Sequence, residues 1–459
     1  MNESPLLELR YEGGTVLIHG DDPTLYAQLP HVRFDERSGS GRAEGRRYRA
    51  IVEYLRAHKI AYSDQARAWN ETRWSIANQR TPFPHQTEAV DSWWRSRGQG
   101  VVVLPTGTGK TYVAILAIAR TARPALVITP TLDLLNQWYG ELLAAFGAPI
   151  GLIGGGHYDL QPITVSTYDS AYIHADRWAN RYGLLVFDEC HHLPGPSYSL
   201  AATGSLAPFR LGLTATPERA DGQDIAYSDL IGPIIYRREI KELSGEFLAD
   251  YQTRRLLVPL TEQEQSEYNS ARKIYREYIE QHGISLGGAN GWRRFIFEAS
   301  RTKEGWAAYQ AYKTYKKLER SAAGKMVVLA ELLHKHAQDR AIIFTADNAT
   351  VYQIAREFLI PAITHQTKTR ERSLVLDRFR CGEYSAVVTS QVLNEGVDVP
   401  EANVGIVLSG TSTIRENVQR LGRLLRKKGA KQAILYEIVA SGTMEEFSSE
   451  RRRQHTAFE

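Results

Sequence analysis

Leu104-Pro105-Thr106-Gly107-Thr108-Gly109-Lys110-Thr111 decides the fold of this chain, and it comes directly after the apolar run 101–103. The order predicts a buried strand, a glycine turn and then a helix, which together direct free backbone N–H groups and the positive helix end at one point. A phosphate group is the ligand that such a point binds. The generic phosphate loop has glycine at the place of Leu104, so a purely structural turn stays open as the alternative.

Each residue of the turn has an expected task. Gly107 and Gly109 let the backbone approach phosphate oxygens closely, and Thr108 between them belongs to the same cradle. The Lys110 ammonium can reach the β and γ phosphates, and the Thr111 hydroxyl is placed to ligate Mg²⁺. The turn therefore predicts a site for a nucleotide and its magnesium ion.

A second short apolar run, residues 184–187, ends in Asp188-Glu189. It predicts another buried parallel strand that delivers two carboxylates to the edge of the sheet where ligands bind in open α/β folds. We expect Asp188 to hold Mg²⁺ through the metal's water shell and Glu189 to accept the proton of the attacking water. In the alternative interpretation the two acids only cap the next element.

The residues after this pair, Cys190, His191 and His192, suggest zinc, but structural zinc sites draw their ligands from paired motifs and no second motif exists here. We expect no metal on this trio, and we expect His191 to link the nucleotide site to the rest of the protein. The only other cysteine is Cys381, so a disulfide framework is excluded and a reducing cytosol is expected.

Length and charge set wider limits. A chain of 459 residues has room for two to four domains, and its formal charge of +4 is a weak argument for a polyanionic partner. No run approaches 18 apolar residues, and the first residues lack the basic start and apolar core of a signal peptide. The sequence therefore predicts a cytoplasmic protein.

Short apolar runs alternate with helical stretches along two parts of the chain, which is typical of parallel sheets covered by helices. The first part has predicted strands at 101–104, 125–128 and 184–187 with helices at 112–120 and 132–145; the second has strands at 341–344, 386–388 and 404–408 with helices at 349–358, 371–380 and 414–425. The fold class is therefore α/β, with two lobes and a cleft between them. Arg420, Arg423 and Arg426 follow helical spacing in the second lobe, where they either reach a γ phosphate or form a solvated basic face.

Seven motifs in this order resemble superfamily 2 helicases and translocases, whose two lobes are RecA-like and whose first motif also lacks the leading glycine. The motifs are LPTGTGKT (104–111), TPTLDLLNQW (129–138), VSTYDS (165–170), DECHH (188–192), LTATP (213–217), SQVLNEGVDVP (390–400) and QRLGRLLR (419–426). The phrases LGLTATPERADG, FLIPAITHQT and HVRFDERSGSGRAEGRRYRAIVEYL resemble the XPB helicases of the archaeal and bacterial type. This resemblance implies an ATP-dependent DNA motor of 3′ to 5′ polarity in DNA repair or duplex opening.

The resemblance also assigns roles to single residues. It implies phosphate and Mg²⁺ contacts for Lys110, Thr111 and Asp188, water activation by Glu189, adenine recognition by Gln86, and nucleotide contacts from the second lobe by Gly396, Asp398, Arg423 and Arg426. The family usually has arginine three residues before the glutamine, where this chain has Phe83, which puts adenine selectivity in doubt. The family's Arg-Glu-Asp triplet, which is thought to help part the strands, is Arg219-Ala220-Asp221 here.

Thr131, Thr167, Thr364 and Ser390 occupy motifs that touch the backbone of one nucleic-acid strand in relatives, so they imply a track that does not read sequence. Each of them could equally be a cap or turn residue. Two further segments are candidates for DNA contact. One is a predicted hairpin around Gly13-Gly14 followed by six arginines between 33 and 49, for which a solvated charge run stays open as the alternative. The other is a basic helical insertion with aromatics at 306, 309, 312 and 315, for which core packing is favoured over base stacking.

The resulting prediction is an ATP-driven DNA helicase or duplex translocase. Its expected domains are a damage-recognition-like domain (1–65), a linker (66–79), a first RecA-like lobe with the ATP site (80–238), and a second RecA-like lobe (239–459) with a helical thumb inserted at 262–318. The expected cofactors are ATP and Mg²⁺, and the expected partners are DNA and, as in archaeal relatives, a nuclease, with the chain itself a monomer. An ATPase that steers a partner nuclease with little unwinding, and an RNA helicase, stay open as alternatives.

Overall fold

The computed structural model describes residues 7–20, 23–77, 80–217, 226–243, 250–285, 291–390, 402–408 and 432–453, and the chain divides between Glu239 and Ile240 into two compact units. Six predicted site residues lie outside the described ranges and stay predictions: Arg219, Asp221, Gly396, Asp398, Arg423 and Arg426. The helical segment 414–425 lies outside them as well. The finer boundaries 1–65, 66–79 and 80–238 also stay predictions.

The first unit begins with a small α+β domain. Its elements are β1 (Leu7–Glu12), β2 (Thr15–Gly20), β3 (Arg33–Asp35), β4 (Ser40–Glu44), α1 (Tyr48–Ala57) and β5 (Tyr62–Asp64), with 3₁₀ turns at Pro23–Gln28 and Gly45–Arg47. The sheet order is β3-β4-β2-β1-β5, and β1 and β2 form the predicted antiparallel hairpin. Gly13 and Gly14 turn the chain with φ of +53° and +80°, which a two-residue hairpin of the favoured type requires.

Three arginines of the predicted basic stretch attach this domain to the rest of its unit. Arg46 and Arg47 both pair with Asp229, and the Arg49 guanidinium donates to the carbonyl oxygens of Arg97 at 2.7 Å and Pro208 at 2.9 Å. The three groups are therefore paired within the unit and are not part of a solvated charge run, and contact of the basic stretch with DNA stays a prediction. Their exposed side-chain fractions of 13%, 27% and 20% reflect this docking.

The small N-terminal domain packs so closely against the rest of its unit at Gly45 that a substitution of this glycine tests the contact. A Cβ atom on Gly45 would lie 2.2 Å from the carbonyl oxygen of Gly204, so we expect Gly45→Ala to lower the free energy of unfolding by about 1–3 kcal/mol. Gly140, in the exposed face of a helix with open space around it, is the control, and Gly140→Ala should gain roughly 0.5–1 kcal/mol. Thermal unfolding of both variants checks this, and equal melting temperatures for Gly45→Ala and the parent would contradict it.

The rest of the first unit is a largely parallel sheet with helices on its faces. Its strands are β6 (Gln99–Val103), β7 (Ala125–Thr129), β8 (Ile150–Gly154), β9 (His157–Asp159), β10 (Ile163–Thr167), β11 (Leu184–Asp188), β12 (Phe209–Thr214) and β13 (Ile234–Arg237); its helices are α2 (Pro84–Arg95), α3 (Lys110–Thr121), α4 (Leu132–Phe146), α5 (Tyr168–Ile173), α6 (Ala175–Trp178), α7 (Ser199–Thr203) and α8 (Ala226–Leu230). The order is β13-β6-β12-β11-β7-β10-β8-β9, and only β9 pairs antiparallel among these described strands. This confirms the predicted parallel-sheet lobe.

The register of this sheet positions the candidate site. Val103 pairs with Thr214, and Leu213 pairs with Asp188, so β6, β12 and β11 end side by side. β11 is buried along its whole length and β6 along all of it except Gln99, because both faces of the sheet are covered, which explains their mainly apolar sequence. The phosphate turn and the acidic pair therefore leave the sheet at the same edge.

The second unit has a six-stranded sheet in which every paired neighbour runs parallel. Its elements are α9 (Ile240–Leu243), β14 (Asp250–Pro259), α10 (Glu262–Gln281), α11 (Gly291–Ala299), α12 (Lys303–Ser321), α13 (Ala323–Lys335), β15 (Ala341–Phe344), α14 (Asn348–Phe358), β16 (Ala362–Ile363), α15 (Thr369–Cys381), β17 (Ala386–Thr389), β18 (Val404–Val407), β19 (Gln432–Ser441) and a final helix, Met444–Arg453. The order is β14-β19-β18-β15-β17-β16. This confirms the second predicted lobe.

Helices α10, α11 and α12 form the inserted thumb around an aromatic core. Tyr312 and Tyr315 pack against Tyr275, which confirms the favoured core interpretation for these two, whereas Trp306 is 56% exposed. A repeat of three residues drifts around a helix of 3.6 residues per turn, so nine positions carry Trp306 to about the opposite face from Tyr315. None of the helices in the described ranges combines the length and apolarity needed to cross a membrane.

Candidate nucleotide site and nucleic-acid track

The phosphate turn has a backbone that only glycine adopts easily. Gly107 and Gly109 have φ of +89° and +82°, and Gly109 caps α3 in the left-handed region, so the helix begins at Lys110. The Thr108 hydroxyl donates to the carbonyl oxygen of Pro105 at 2.8 Å, which closes the turn from inside. Lys110 and Thr111 are therefore the first two residues of α3, at its positive end.

The ammonium of Lys110 lies across the turn. Its Nζ donates to the carbonyl oxygen of Leu104 at 3.2 Å and lies 3.9 Å from Oε1 of Glu189. The side chains of Lys110 and Glu189 are only 11% and 14% exposed, so little water screens the two charges. The structure thus brings together residues that are far apart in sequence and that sequence reasoning assigned to one site.

Gln86 braces the turn through its amide group. Its Nε2 donates to the carbonyl oxygens of Thr108 at 3.0 Å and Gly109 at 3.3 Å, and its Oε1 accepts from the Phe83 N–H at the start of α2. A Cβ atom on Gly109 would lie 2.4 Å from Gln86 Nε2 and would displace this amide, while the φ of +82° is what favours glycine at the position. Adenine recognition by Gln86 stays a prediction, and the sequence carries no signal for the contacts of its amide with the turn, which lie 22 and 23 residues away.

Asp188 is the last residue of β11, and its carboxylate is 6% exposed. Its Oδ1 accepts from the Glu189 N–H at 3.1 Å, and its Oδ2 accepts from the indole Nε1 of Trp138 at 2.7 Å. Burial, followed by the neighbouring charge of Glu189, raises the pKa of Asp188 to about 6. A bound cation would favour the ionised carboxylate, so the environment is suited to a metal ligand.

Glu189 has a strained backbone and one buried carboxylate oxygen without a hydrogen bond. Its φ of +46° is unusual for a residue with a side chain, and such strain is found where the surroundings force a functional group into place. Its Oε2 is buried, lies 3.5 Å from His191 Nδ1, and has no hydrogen-bond partner among the described residues. A buried carboxylate oxygen of this kind is available to bind a water molecule.

His191 connects the acidic pair to the LTATP motif. Its Nδ1 lies 3.0 Å from the hydroxyl of Thr214, which in turn donates to the carbonyl oxygen of Thr216. Cys190 packs in the apolar core of the lobe, where burial raises the pKa of its thiol. Within the ranges that the structure describes, no three His, Cys, Asp or Glu side chains are grouped so as to hold a metal ion by themselves.

The predicted track residues lie at carboxyl ends of neighbouring strands in each unit. Thr131 follows β7, and its hydroxyl caps α4 by accepting from the Leu134 N–H at 3.3 Å. Thr167 is the last residue of β10, and its hydroxyl caps α5 by accepting from the Ser170 N–H at 3.2 Å. In the second unit, Thr364 and Ser390 follow β16 and β17 and are almost fully buried. The hydroxyls of Thr131 and Thr167 thus have cap roles, and contact of any of the four with nucleic acid stays a prediction.

Two contacts to Asp188 were not anticipated from the sequence. Trp138 lies in the quoted 129–138 motif and Tyr168 in the 165–170 motif, and the Tyr168 hydroxyl donates to the backbone carbonyl oxygen of Asp188 at 3.0 Å. The apolar pattern predicts that both rings are buried, and they are 2% and 1% exposed. It carries no signal for which polar group a buried ring reaches.

Comparisons with known proteins agree with this geometry. Three family models match the chain: "Type III restriction enzyme, res subunit" over 79–219, "Xeroderma pigmentosum group B helicase damage recognition domain" over 9–66, and "ERCC3/RAD25/XPB C-terminal helicase" over 306–457. The chain is similar to the DNA 3′-5′ translocase XPB2 of Sulfurisphaera tokodaii, with 41% identity over 98% of this chain and 100% of the relative. It is 28% identical to the DNA 3′-5′ helicase XPB of Mycobacterium tuberculosis over 98% of this chain and 73% of the relative.

A solved structure supports the fold alone. The helicase domain of Hef from Pyrococcus furiosus superposes with a TM-score of 0.54 at 19% identity, over 81% of this chain and 98% of that domain. The parallel-sheet lobes described above are therefore an arrangement that a known helicase domain shares.

Proposed function

Because the chain belongs to the XPB family of DNA helicases and translocases, we propose that it is an ATP-driven DNA helicase or duplex translocase of 3′ to 5′ polarity that acts in DNA repair or duplex opening. The observation that carries the proposal is the meeting of Lys110 and Glu189, 3.9 Å apart, at the edge where β6 and β11 end. A cation for phosphate and a base for water are the two groups that nucleotide hydrolysis needs from one lobe.

The residues present fit a magnesium nucleotide. Gly107, Thr108 and Gly109 form a turn with left-handed backbone at both glycines, Lys110 supplies the positive charge, and Thr111 with Asp188 would hold the ion. Bound Mg²⁺ and ATP would supply charge screening and the free energy of phosphoryl transfer. The side chains of the protein would position the attacking water and accept its proton. Glu189 Oε2, which has no hydrogen-bond partner among the described residues, would take that proton.

The other lobe completes the proposed cycle. We assign Arg423 and Arg426 to the γ phosphate and Gly396 and Asp398 to the nucleotide, on the strength of the motifs that contain them, and Gln86 to adenine. Arginines that arrive from a second lobe stabilise charge in the transition state and couple hydrolysis to closure.

The proposed DNA track combines four hydroxyl residues with a wedge. Thr131 and Thr167 mark it in the first lobe and Thr364 and Ser390 in the second, and the positive ends of the helices that Thr131 and Thr167 cap would attract backbone phosphates without reading bases. Arg219 and Asp221 would stand at the strand junction, where Ala220 replaces the family's acid. Each lobe would grip in turn as hydrolysis proceeds.

The test is the ATPase rate with single-stranded DNA, duplex, fork and RNA. We expect DNA to raise the rate at least about tenfold over the protein alone, because closure onto the track completes the site, and RNA to raise it far less. Stimulation by RNA equal to that by DNA would favour an RNA helicase. DNA stimulation without strand separation on a fork would favour translocation or the steering of a partner nuclease.

The proposed activity also implies an oligomeric state, a location and a partner. We propose that the chain works as a monomer in a prokaryotic cytoplasm, bound to nucleoid DNA, and that a nuclease is its partner, as the resemblance to archaeal relatives implies. Sedimentation of the purified protein with and without DNA measures the oligomeric state.

A further inference from the structure

Two hydrogen bonds hold the Asp188 carboxylate, and one of them comes from a distant helix. The Glu189 N–H donates to Oδ1 at 3.1 Å, which is local, whereas Trp138 Nε1 donates to Oδ2 at 2.7 Å from α4. An indole N–H is a donor only, and a bond from it to a carboxylate is charge-assisted. The position of this oxygen therefore depends on the position of α4.

Trp138 is packed on the same helix that Thr131 caps. The ring is 2% exposed and packed, and Trp138 lies seven residues after Thr131, whose hydroxyl caps the same helix. Seven residues are about two turns, or roughly 10 Å, so the cap and the ring lie on nearly the same face. A displacement of the helix start is transmitted to the indole because close-packed helices shift as rigid bodies.

Tyr168 provides a second connection of the same kind. It is the first residue of α5, directly after Thr167, whose hydroxyl caps that helix, and its own hydroxyl donates to the Asp188 carbonyl oxygen at 3.0 Å. Both helices that begin at predicted track residues thus contact Asp188, one through the carboxylate and one through the backbone.

We propose that Trp138 is a positioning residue that couples occupancy of the nucleic-acid track to the Mg²⁺-binding carboxylate of Asp188, with Tyr168 holding the backbone of the same residue. The inference rests on the proposed function, since it presumes that Thr131 and Thr167 meet the strand. A nucleic-acid strand bound at the start of α4 would hold this helix in one position. The Trp138 indole would then keep its hydrogen bond to Asp188 Oδ2 and hold this oxygen where it can bind Mg²⁺.

Trp138→Phe in the full chain tests the coupling, because phenylalanine keeps a buried ring and removes the N–H. The matched control is Trp178→Phe, since Trp178 is fully buried in the same lobe and its Nε1 donates to a neutral carbonyl oxygen, that of Ala171, at 2.9 Å. The measurement is the Mg²⁺ concentration for half-maximal binding of a fluorescent, non-hydrolysable ATP analogue, with and without single-stranded DNA.

In the parent and in Trp178→Phe, we expect DNA to lower this Mg²⁺ concentration. In Trp138→Phe it should rise about tenfold, as for loss of a hydrogen bond to a charged group, and DNA should no longer change it. Thr131→Ala should remove the DNA effect too, and the double variant should need the same Mg²⁺ concentration as Trp138→Phe alone, because residues on one path are not additive.

Equal behaviour of Trp138→Phe and Trp178→Phe would overturn the coupling, as would a double variant that needs a higher Mg²⁺ concentration than Trp138→Phe alone. A parent that binds no analogue in a Mg²⁺-dependent way would instead count against the proposed function. If Trp138→Phe is unfolded at the assay temperature, Tyr168→Phe is the second variant: loss of the DNA effect supports the coupling, and an unchanged DNA effect overturns it.

Discussion

Lys110→Ala is expected to lower ATP hydrolysis by about 10²-fold or more, with DNA binding in the absence of nucleotide preserved. The Lys110 ammonium is the positive charge at the start of α3, 3.2 Å from the Leu104 carbonyl oxygen, and its removal leaves the developing phosphate charge without its cation. DNA binding should persist because Thr131 and Thr167 are held by their own helix caps. Steady-state turnover and DNA affinity, measured without nucleotide, check the two halves of this expectation.

Lys335→Ala is the control for this variant. Lys335 is an exposed lysine at the end of α13 in the other unit, so its loss changes net charge equally and should leave hydrolysis unchanged. Lys110→Arg adds a second comparison, because the arginine keeps the charge but brings a wider planar head into a site that is 11% exposed. Turnover within threefold of the parent in Lys110→Ala would rule out its assigned role.

Local patterns in the sequence were sufficient for the framework of the site. The apolar runs predicted β6, β7 and β11 to within about two residues, since strands buried on both faces are rich in apolar residues. The glycine spacing predicted the turn at Gly107 and Gly109, whose φ values require that residue. Such features depend on neighbours in the chain, and they can therefore be inferred from it.

Contacts between distant segments could not be inferred in this way. Trp138 and Asp188 are 50 residues apart, and Arg46 and Asp229 are 183 apart, so only the packed fold brings each pair together. A basic stretch has the same composition whether it faces DNA, water or another domain. Arg46, Arg47 and Arg49 face the first lobe because Asp229 and two backbone carbonyl oxygens there need partners.

Hydroxyl residues at strand ends show a second limit of what can be inferred from the sequence. Thr131 and Thr167 were predicted as backbone contacts from their motifs, with helix capping as the alternative, and the structure has the caps. The two roles are compatible, because a cap orders the helix start, and the positive end of an ordered helix attracts phosphate. A sequence motif does not tell a residue that binds the nucleic-acid backbone from a residue that only caps the helix start beside it.

Glu189→Gln is expected to bind ATP at least as tightly as the parent and to hydrolyse it about 10² to 10⁴ times more slowly, which is the usual contribution of a positioned base. Glutamine keeps the size and backbone of Glu189, including the left-handed φ of +46°, and loses only the proton acceptor. Binding should not weaken, because the charge of Glu189 is one cause of the raised pKa of Asp188 and its removal favours the ionised metal ligand.

The variant should therefore accumulate as a stalled complex with nucleotide and DNA. Glu141→Gln, at an exposed position of α4, removes the same charge away from the site and is the control that should turn over normally. Nucleotide affinity, single-turnover hydrolysis and the lifetime of the DNA complex distinguish the possibilities. Slow turnover with normal affinity supports Glu189 as the base. Lost affinity would mean that the carboxylate helps to hold the nucleotide. Unchanged turnover would mean that another group accepts the proton of the attacking water, and the candidate beside Glu189 is His191, whose Nδ1 lies 3.5 Å from Glu189 Oε2.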